Sequence, residues 1–266
     1  PPRWCIEKRK YPYSPSARLV AAQALIDDKS ADAASQLTDA IAQIGDSTED
    51  RALLVQVLLS RGRAYKKLQQ LEAAIADFTR VIELTPNDAS VYLSRGDAYT
   101  TGGADDKAIA DFTRAIELEA NFAEAFAYRG YAEFDKGNMA SASDDFLKAT
   151  HLGADAYAML FRYIVQARLG ADGASELLAN AERLKSNSWP YPVIELYLGK
   201  REPGATFEAA NDPGEWCEAN FYIGEWHLLH NRAADAESFL RKAAESCPET
   251  YPELAAAKAE LKRLKP

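Results

Sequence analysis

The sequence predicts an all-α chain, a solenoid of antiparallel helix pairs, and three observations carry that expectation. The octet "DFTRVIEL" at 77–84 returns as "DFTRAIEL" at 111–118, and a looser copy runs from Asp145 and Phe146 through Leu147 and Lys148 to Leu152. The copies begin thirty-four residues apart, inside the range of roughly 20–50 residues that marks a stacked repeat. A glycine falls at one phase of every interval, at Gly62, Gly96 and Gly130, each preceded by arginine. Chains of this kind bury each unit against its neighbours, so length alone says little about domain number.

The elements follow in order. Residues 1–13, opening "PPRWCIEKRK", are expected as an extended tail. The start without Met suggests a processed or truncated product, and Cys5 lacks the small and aliphatic residues of a lipobox before it. Residues 14–54 read as a degenerate helix pair and lead-in, with Ala21 and Ala33 at the small-residue places and Asp46 and Ser47 offering an N-cap to the next helix. Three phased units then occupy 55–88, 89–122 and 123–156. Glycine inside a helix costs about 1 kcal/mol relative to alanine, so its return at one phase predicts close contact between two helix backbones. In the second helix of each unit Ala74, Ala108 and Ala142 supply a small residue, with Phe78, Phe112 and Phe146 four residues on along the same face. Pro86 closes the first unit because it cannot continue a helix.

Divergent helix pairs are expected over 157–213, the first turning at "GADG" and the second shortened by Pro190 and Pro192, with the weakest packing of the chain at 186–213. Residues 214–266 hold a last phased unit, marked by Gly224, Ala236, Ala243 and Pro248 with Leu240 in the phenylalanine place. A final helix at 252–264 is expected to cover it and turn its charged side to water. The total is about six or seven helix pairs and a capping helix.

This skeleton resembles the tetratricopeptide repeat (TPR) family. The first unit matches at Gly62, Tyr65, Ala74, Phe78 and Pro86, and the second at Tyr92, Gly96, Tyr99, Ala108 and Phe112. The third departs, with Glu133 at the tyrosine place and Ala154 at the proline place. The resemblance implies a right-handed superhelix whose first helices line a concave groove that takes a protein or peptide. In the C-terminal half, "IELYLGK" at 194–200 and "NFYIGEWHLL" at 220–229 resemble the NlpI family of bacterial lipoproteins. That likeness implies a cell-envelope adaptor at the periplasmic face, bringing cell-wall hydrolases together with a protease.

Composition narrows the function classes. Apolar residues form 47% and charged residues 27% of the chain, a globular mixture rather than a disordered one. A net charge of −9 disfavours a nonspecific grip on nucleic acid or anionic lipid. No apolar run reaches the ~20 residues of a membrane-spanning helix. Phosphate-loop, nucleophile-elbow and HExxH sequences are absent, so neither catalytic residues nor a cofactor are expected and the reading is of a protein that is not an enzyme. His227 and His230 could share a metal by spacing, but no further ligand is evident, and packing is the expected role. The pairs Asp105–Asp106 and Asp144–Asp145 are expected near helix starts, where acids complement the dipole.

Phase nominates the groove residues: Arg63 and Lys67, then Leu93 and Asp97, then Tyr128, Tyr131 and Phe134 as an aromatic anchor. The competing expectation for the aromatics is packing on the next helix pair through Phe161 and Tyr157. Cys217 and Cys247 sit at adjoining ends of antiparallel helices, where a disulfide would add about 3–4 kcal/mol in an oxidising compartment; the alternative is two unrelated buried thiols. A periplasmic or secreted adaptor is therefore expected, and a homodimer is compatible with it. An intracellular co-chaperone in the cytoplasm is the main alternative, although Leu59, Arg63 and Leu93 stand where a carboxylate clamp needs other residues and Asp97 would repel such a ligand. A repeat region serving a glycosyltransferase is a third reading, without the strand–helix alternation a nucleotide-sugar domain needs.

Overall fold

The computed structural model describes residues 14–23, 30–45, 47–153, 156–184 and 188–265. The tail 1–13 with Cys5, the Ala21 side chain, Asp46 and Ala154 lie outside the described residues. Among those described there are fifteen α-helices and no strand. The chain divides into two compact units, one up to Leu118 and one from Glu119.

The first unit holds α1 (Pro15–Gln23), α2 (Ser30–Ile41), α3 (Thr48–Lys67), α4 (Leu71–Leu84), α5 (Ala89–Thr101) and α6 (Asp105–Leu118). Ser47 starts α3 by a reciprocal cap: its hydroxyl accepts from the Asp50 amide at 3.0 Å, and its own amide donates to the Asp50 carboxylate at 3.3 Å. The helix thus begins seven residues before the phased unit at 55 and absorbs the expected lead-in. Leu37, Ala33, Ala40, Val57 and Ala64 bury the α1–α2 pair on α3. Leu58, Ala74, Phe78, Val81, Val91 and Ala98 form the next layer between α3, α4 and α5.

The second unit holds α7 (Ala123–Lys136), α8 (Met139–His151), α9 (Ala156–Arg168), α10 (Ala174–Ala181), α11 (Tyr191–Tyr197), α12 (Pro203–Glu208), α13 (Pro213–Leu229), α14 (Ala233–Ser246) and α15 (Pro252–Arg263). Phe161 of α9 is the centre of its core, with ring centroids 4.8 Å from Tyr131, 5.3 Å from Phe134 and 5.5 Å from both Phe146 and Phe221. A line of tyrosine hydroxyls ties the helices on its far side. Tyr163 donates to the Tyr197 carbonyl at 3.2 Å, Tyr197 to the Tyr222 carbonyl at 2.9 Å, and Tyr222 to Glu253 at 2.8 Å. Segment 188–213 makes the sparsest helix–helix contacts, as expected, yet it still buries its apolar residues. Val193 and Ile194 are fully buried, and Leu196 and Ala210 pack with Ala219 and Ile223 of α13. Its prolines shorten the helices.

The recurring glycines let the following helix come close by receiving its side chains. A methyl group at Gly62 would lie 2.7 Å from the Phe78 ring, at Gly96 2.5 Å from Phe112, and at Gly130 2.9 Å from Phe146. At Gly224 the neighbour is Leu240, 2.8 Å away. Each glycine is a socket for the aromatic or aliphatic side chain of the following helix, and at Gly224 the Leu240 backbone nitrogen also comes within 3.4 Å of the added methyl.

Candidate partner-binding surfaces

The polar groups between helices are already committed to one another. Arg61 donates through Nε and Nη2 to Asp77 at 2.8 and 2.7 Å, Arg95 to Asp111 at 2.7 Å through both, and Arg129 to Asp145 at 2.8 and 2.7 Å. These planar, two-point pairs join the first helix of each repeat to the second. In the first unit the third arginine nitrogen also reaches the preceding second helix, from Arg61 to Thr38 and from Arg95 to Thr79, both at 3.1 Å. Hydrogen bonding to the aspartate holds all three guanidinium groups above the ordinary arginine value, against the opposing effect of burial. Asp145 is therefore no helix-dipole acid. It lies well inside α8, which starts at Met139, and is 5% exposed beneath Arg129. Asp105 and Asp106 do occupy the first turn of α6.

In the first unit the residues that phase assigns to the groove lie on α3 and α5. Arg63 and Lys67 are exposed on α3, while Leu93 and Asp97 are half-buried on α5. Lys66 bridges the two helices by an ion pair with Asp97. Asp97 is thus neutralised by a neighbour, which corrects the expectation that it repels a carboxylate ligand by itself.

In the second unit the expected aromatic anchor is dispersed. Phe134 is fully buried, with the Arg168 and Arg263 guanidinium groups 5.4 and 5.5 Å from its ring centre. Tyr131 is half-buried between Phe146 and Phe161. Tyr128 alone of the three remains at the surface, 37% exposed. Spacing of three along a helix sweeps through about 300°, so the outermost members of such a series diverge and the last turns inward.

The C-terminal helix differs most from expectation. Its Glu253 and Glu260 are buried rather than turned to water. Glu260 accepts from Arg168 at 2.8 Å and from Arg263, and Arg168 also donates to Glu225 at 2.5 Å. Arg263 continues to the carbonyls of Phe134 and Asp135 at the end of α7, where a cation complements the helix dipole. Burial alone would lower the Arg168 value, but the Glu225 and Glu260 carboxylates overcome it and hold the guanidinium charged. Burial pushes the Glu225 carboxyl up to about 7, opposed by Arg168 and reinforced by Glu260. This cluster joins residues more than ninety positions apart, and no local pattern announces it.

Cys217 and Cys247 are joined by a disulfide with Cα atoms 4.9 Å apart, tying the end of α14 to α13. His227 stacks on Phe239 at 5.4 Å, and burial lowers its pKa. His230 donates from Nδ1 to the Trp226 carbonyl at 2.7 Å with its ring against that indole. Both imidazoles pack within their own repeat.

Residues 62–101 match a family model described as TPR repeat, and residues 89–122 one described as tetratricopeptide repeat. A search of curated proteins finds no match. Among solved structures, a tetratricopeptide repeat protein from Parabacteroides merdae ATCC 43184 superposes with a TM-score of 0.62 at 16% identity, covering 95% of this chain and 99% of that one. The first TPR of Spaghetti (RPAP3) bound to HSP90 peptide SRMEEVD gives 0.43 at 22% identity over 44% of this chain and 94% of that one. MamA gives 0.47 at 19% over 73% and 92%. The last two scores are too low to bear on the fold. Glycine sockets, repeated arginine–aspartate pairs and these matches together establish that residues 62–122 carry tetratricopeptide repeats within a helical repeat fold of that type.

Proposed function

We propose that the chain is a non-catalytic scaffold that captures a protein or peptide segment on the α3–α5 face. The observation that carries this reading is the division of labour among its polar residues. The arginines between helices are engaged by Asp77 and Asp111, whereas Arg63 is exposed on α3 and Leu93 half-buried on α5, the two helices that the Lys66–Asp97 ion pair joins. A mixed surface of cations flanking an aliphatic patch suits an acidic segment with an apolar anchor. Pull-down with the whole chain as bait tests it. Arg63→Glu with Lys67→Glu should abolish capture while the melting temperature stays within a degree or two, as exposed substitutions ordinarily allow. Undiminished capture by that variant would remove the face from consideration.

The Cys217–Cys247 disulfide favours an oxidising compartment, and a cell-envelope adaptor of the NlpI kind is the finer reading it supports. Cell fractionation of the full-length protein distinguishes it from a cytoplasmic assembly module, because recovery with reduced thiols in the cytosol would exclude the envelope.

A further inference from the structure

The seat of α15 has features that a permanent cap does not need. The helix lies against α7, α13 and α14, and Arg168 of α9 reaches it. Its buried residues are Glu253, Leu254, Ala256, Ala257 and Glu260, so Leu254 is the one large apolar side chain it buries, with Leu261 and Leu264 half-buried. Charge supplies much of the rest, through Arg168, Glu260 and Arg263. Buried ion pairs add little net stability because both partners regain water when separated, though they specify position sharply.

The disulfide fixes Cys247 to α13, and residues 248–251 after it are mostly exposed and bracketed by Pro248 and Pro252. Release of α15 can therefore pivot there without unravelling α14. Glu225, with no exposure, keeps Oε1 without a hydrogen bond among the described residues even though Arg168 serves Oε2. An occupant that brought a hydroxyl to that oxygen, able to accept from the carboxyl or donate to the carboxylate, would satisfy a group that α15 leaves unsatisfied.

We propose that the face formed by α7, α9 and α13 is a helix-accepting site that α15 fills in cis and yields to an amphipathic helix of a partner protein. That helix would carry a carboxylate for Arg168, an arginine for the α7 carbonyls, a stripe of small apolar residues, and a hydroxyl for Glu225 Oε1. The inference deepens the scaffold reading by naming a second surface and its partner class, and it rests on that reading. Loss of the α3–α5 face as a capture site would leave it standing, since its test reads α15 itself.

Hydrogen exchange on the intact wild-type chain gives the first test. Amides of 253–263 should exchange at least about a hundredfold faster than those of 217–227, reporting a local opening rather than global unfolding. Equal rates would overturn the proposal, and this measurement needs no variant. The second test uses a fluorescein-labelled peptide of residues 252–264. It should bind full-length Arg263→Glu at least tenfold more tightly than wild type, where the native helix competes; equal affinity for both overturns displacement. If Arg263→Glu does not fold, the exchange data decide. Of two peptides with Ala256→Ser or Ala257→Ser, one should gain affinity, and gain by neither removes Glu225 from the site. Light scattering that shows a concentration-dependent dimer through exchanged α15 helices would assign the seat to a second copy and overturn the partner reading.

Discussion

One methyl group added at Gly96 would lie 2.5 Å from the Phe112 ring, inside contact distance. Alanine gains about 1 kcal/mol of helix propensity over glycine, while overpacking a filled site costs about 1–3 kcal/mol. Gly96→Ala should therefore lower stability, and combining it with Phe112→Leu should recover part of the loss, as read by urea unfolding. The arginine–aspartate pairs offer a second expectation at this scale. Asp111→Asn strands the Arg95 charge and should cost about 3–5 kcal/mol, whereas Arg95→Met with Asp111→Leu should come close to wild type. Glu225 gives a pH dependence of definite sign. Its folded pKa of about 7 lies above the ordinary glutamate value of 4.5, so the folded chain keeps a proton that the unfolded chain has released. Its contribution to stability consequently falls as pH rises from about 4.5 to about 7 and is level above that. His227, with its pKa lowered by burial, contributes an opposite slope just below its ordinary value of 6.5. Comparison of Glu225→Gln with wild type isolates the glutamate: the difference between their melting temperatures should shift steadily in favour of the variant across pH 5–7.5. The phased Arg–Gly and Asp–Phe dipeptides were visible in the sequence sixteen residues apart, yet the ion pair they form was not, because charge spacing alone does not reveal which residues face inward.

At the level of helices and pairs, the C-terminal repeat shows what phase can and cannot tell. The Cys217–Cys247 link was legible because antiparallel helices bring fixed ends together, and the loop it closes predicts a loss of about 3–4 kcal/mol on reduction. Peptide mapping without reductant should recover the linked peptides, and free thiols at both positions would contradict the structure. Phe146→Ala should cost about 3–5 kcal/mol, because its ring fills the Gly130 socket and also touches Tyr131 and Phe161. The seat of α15 and the burial of α11 were hidden from local reading. Both depend on distant partners, Arg263 on the end of α7 and Tyr197 on the Tyr222 carbonyl, while proline content and amphipathic pattern report only the helix that bears them. The same limit misplaced Phe134: its phase was right for a first helix, but the arginine that covers it arrives from α15.

Across the whole chain, the helical repeat architecture was the most legible property, since a period of thirty-four residues is a statement about stacking before any contact is known. The division near residue 118 left no mark in that period, because the third copy keeps the skeleton of the second while belonging to the other unit. The described tryptophans, Trp189, Trp216 and Trp226, all lie beyond that point, so their fluorescence reports the second unit alone. Reductant should move the fluorescence transition to lower denaturant, and Phe112→Ala in the first unit should alter circular dichroism more than fluorescence. The glycine socket has a further consequence for how such a chain can change. Socket and filler sit sixteen residues apart within one unit, and so do the arginine and its aspartate. A block of thirty-four residues cut anywhere in phase therefore carries both halves of every lock it needs. Duplicating 55–88 in tandem would lengthen the first unit without inventing a contact, whereas an insertion of thirty or thirty-eight residues would leave a key without its keyhole. The doubled octet is what such copying leaves behind, a seam that drift has not yet erased.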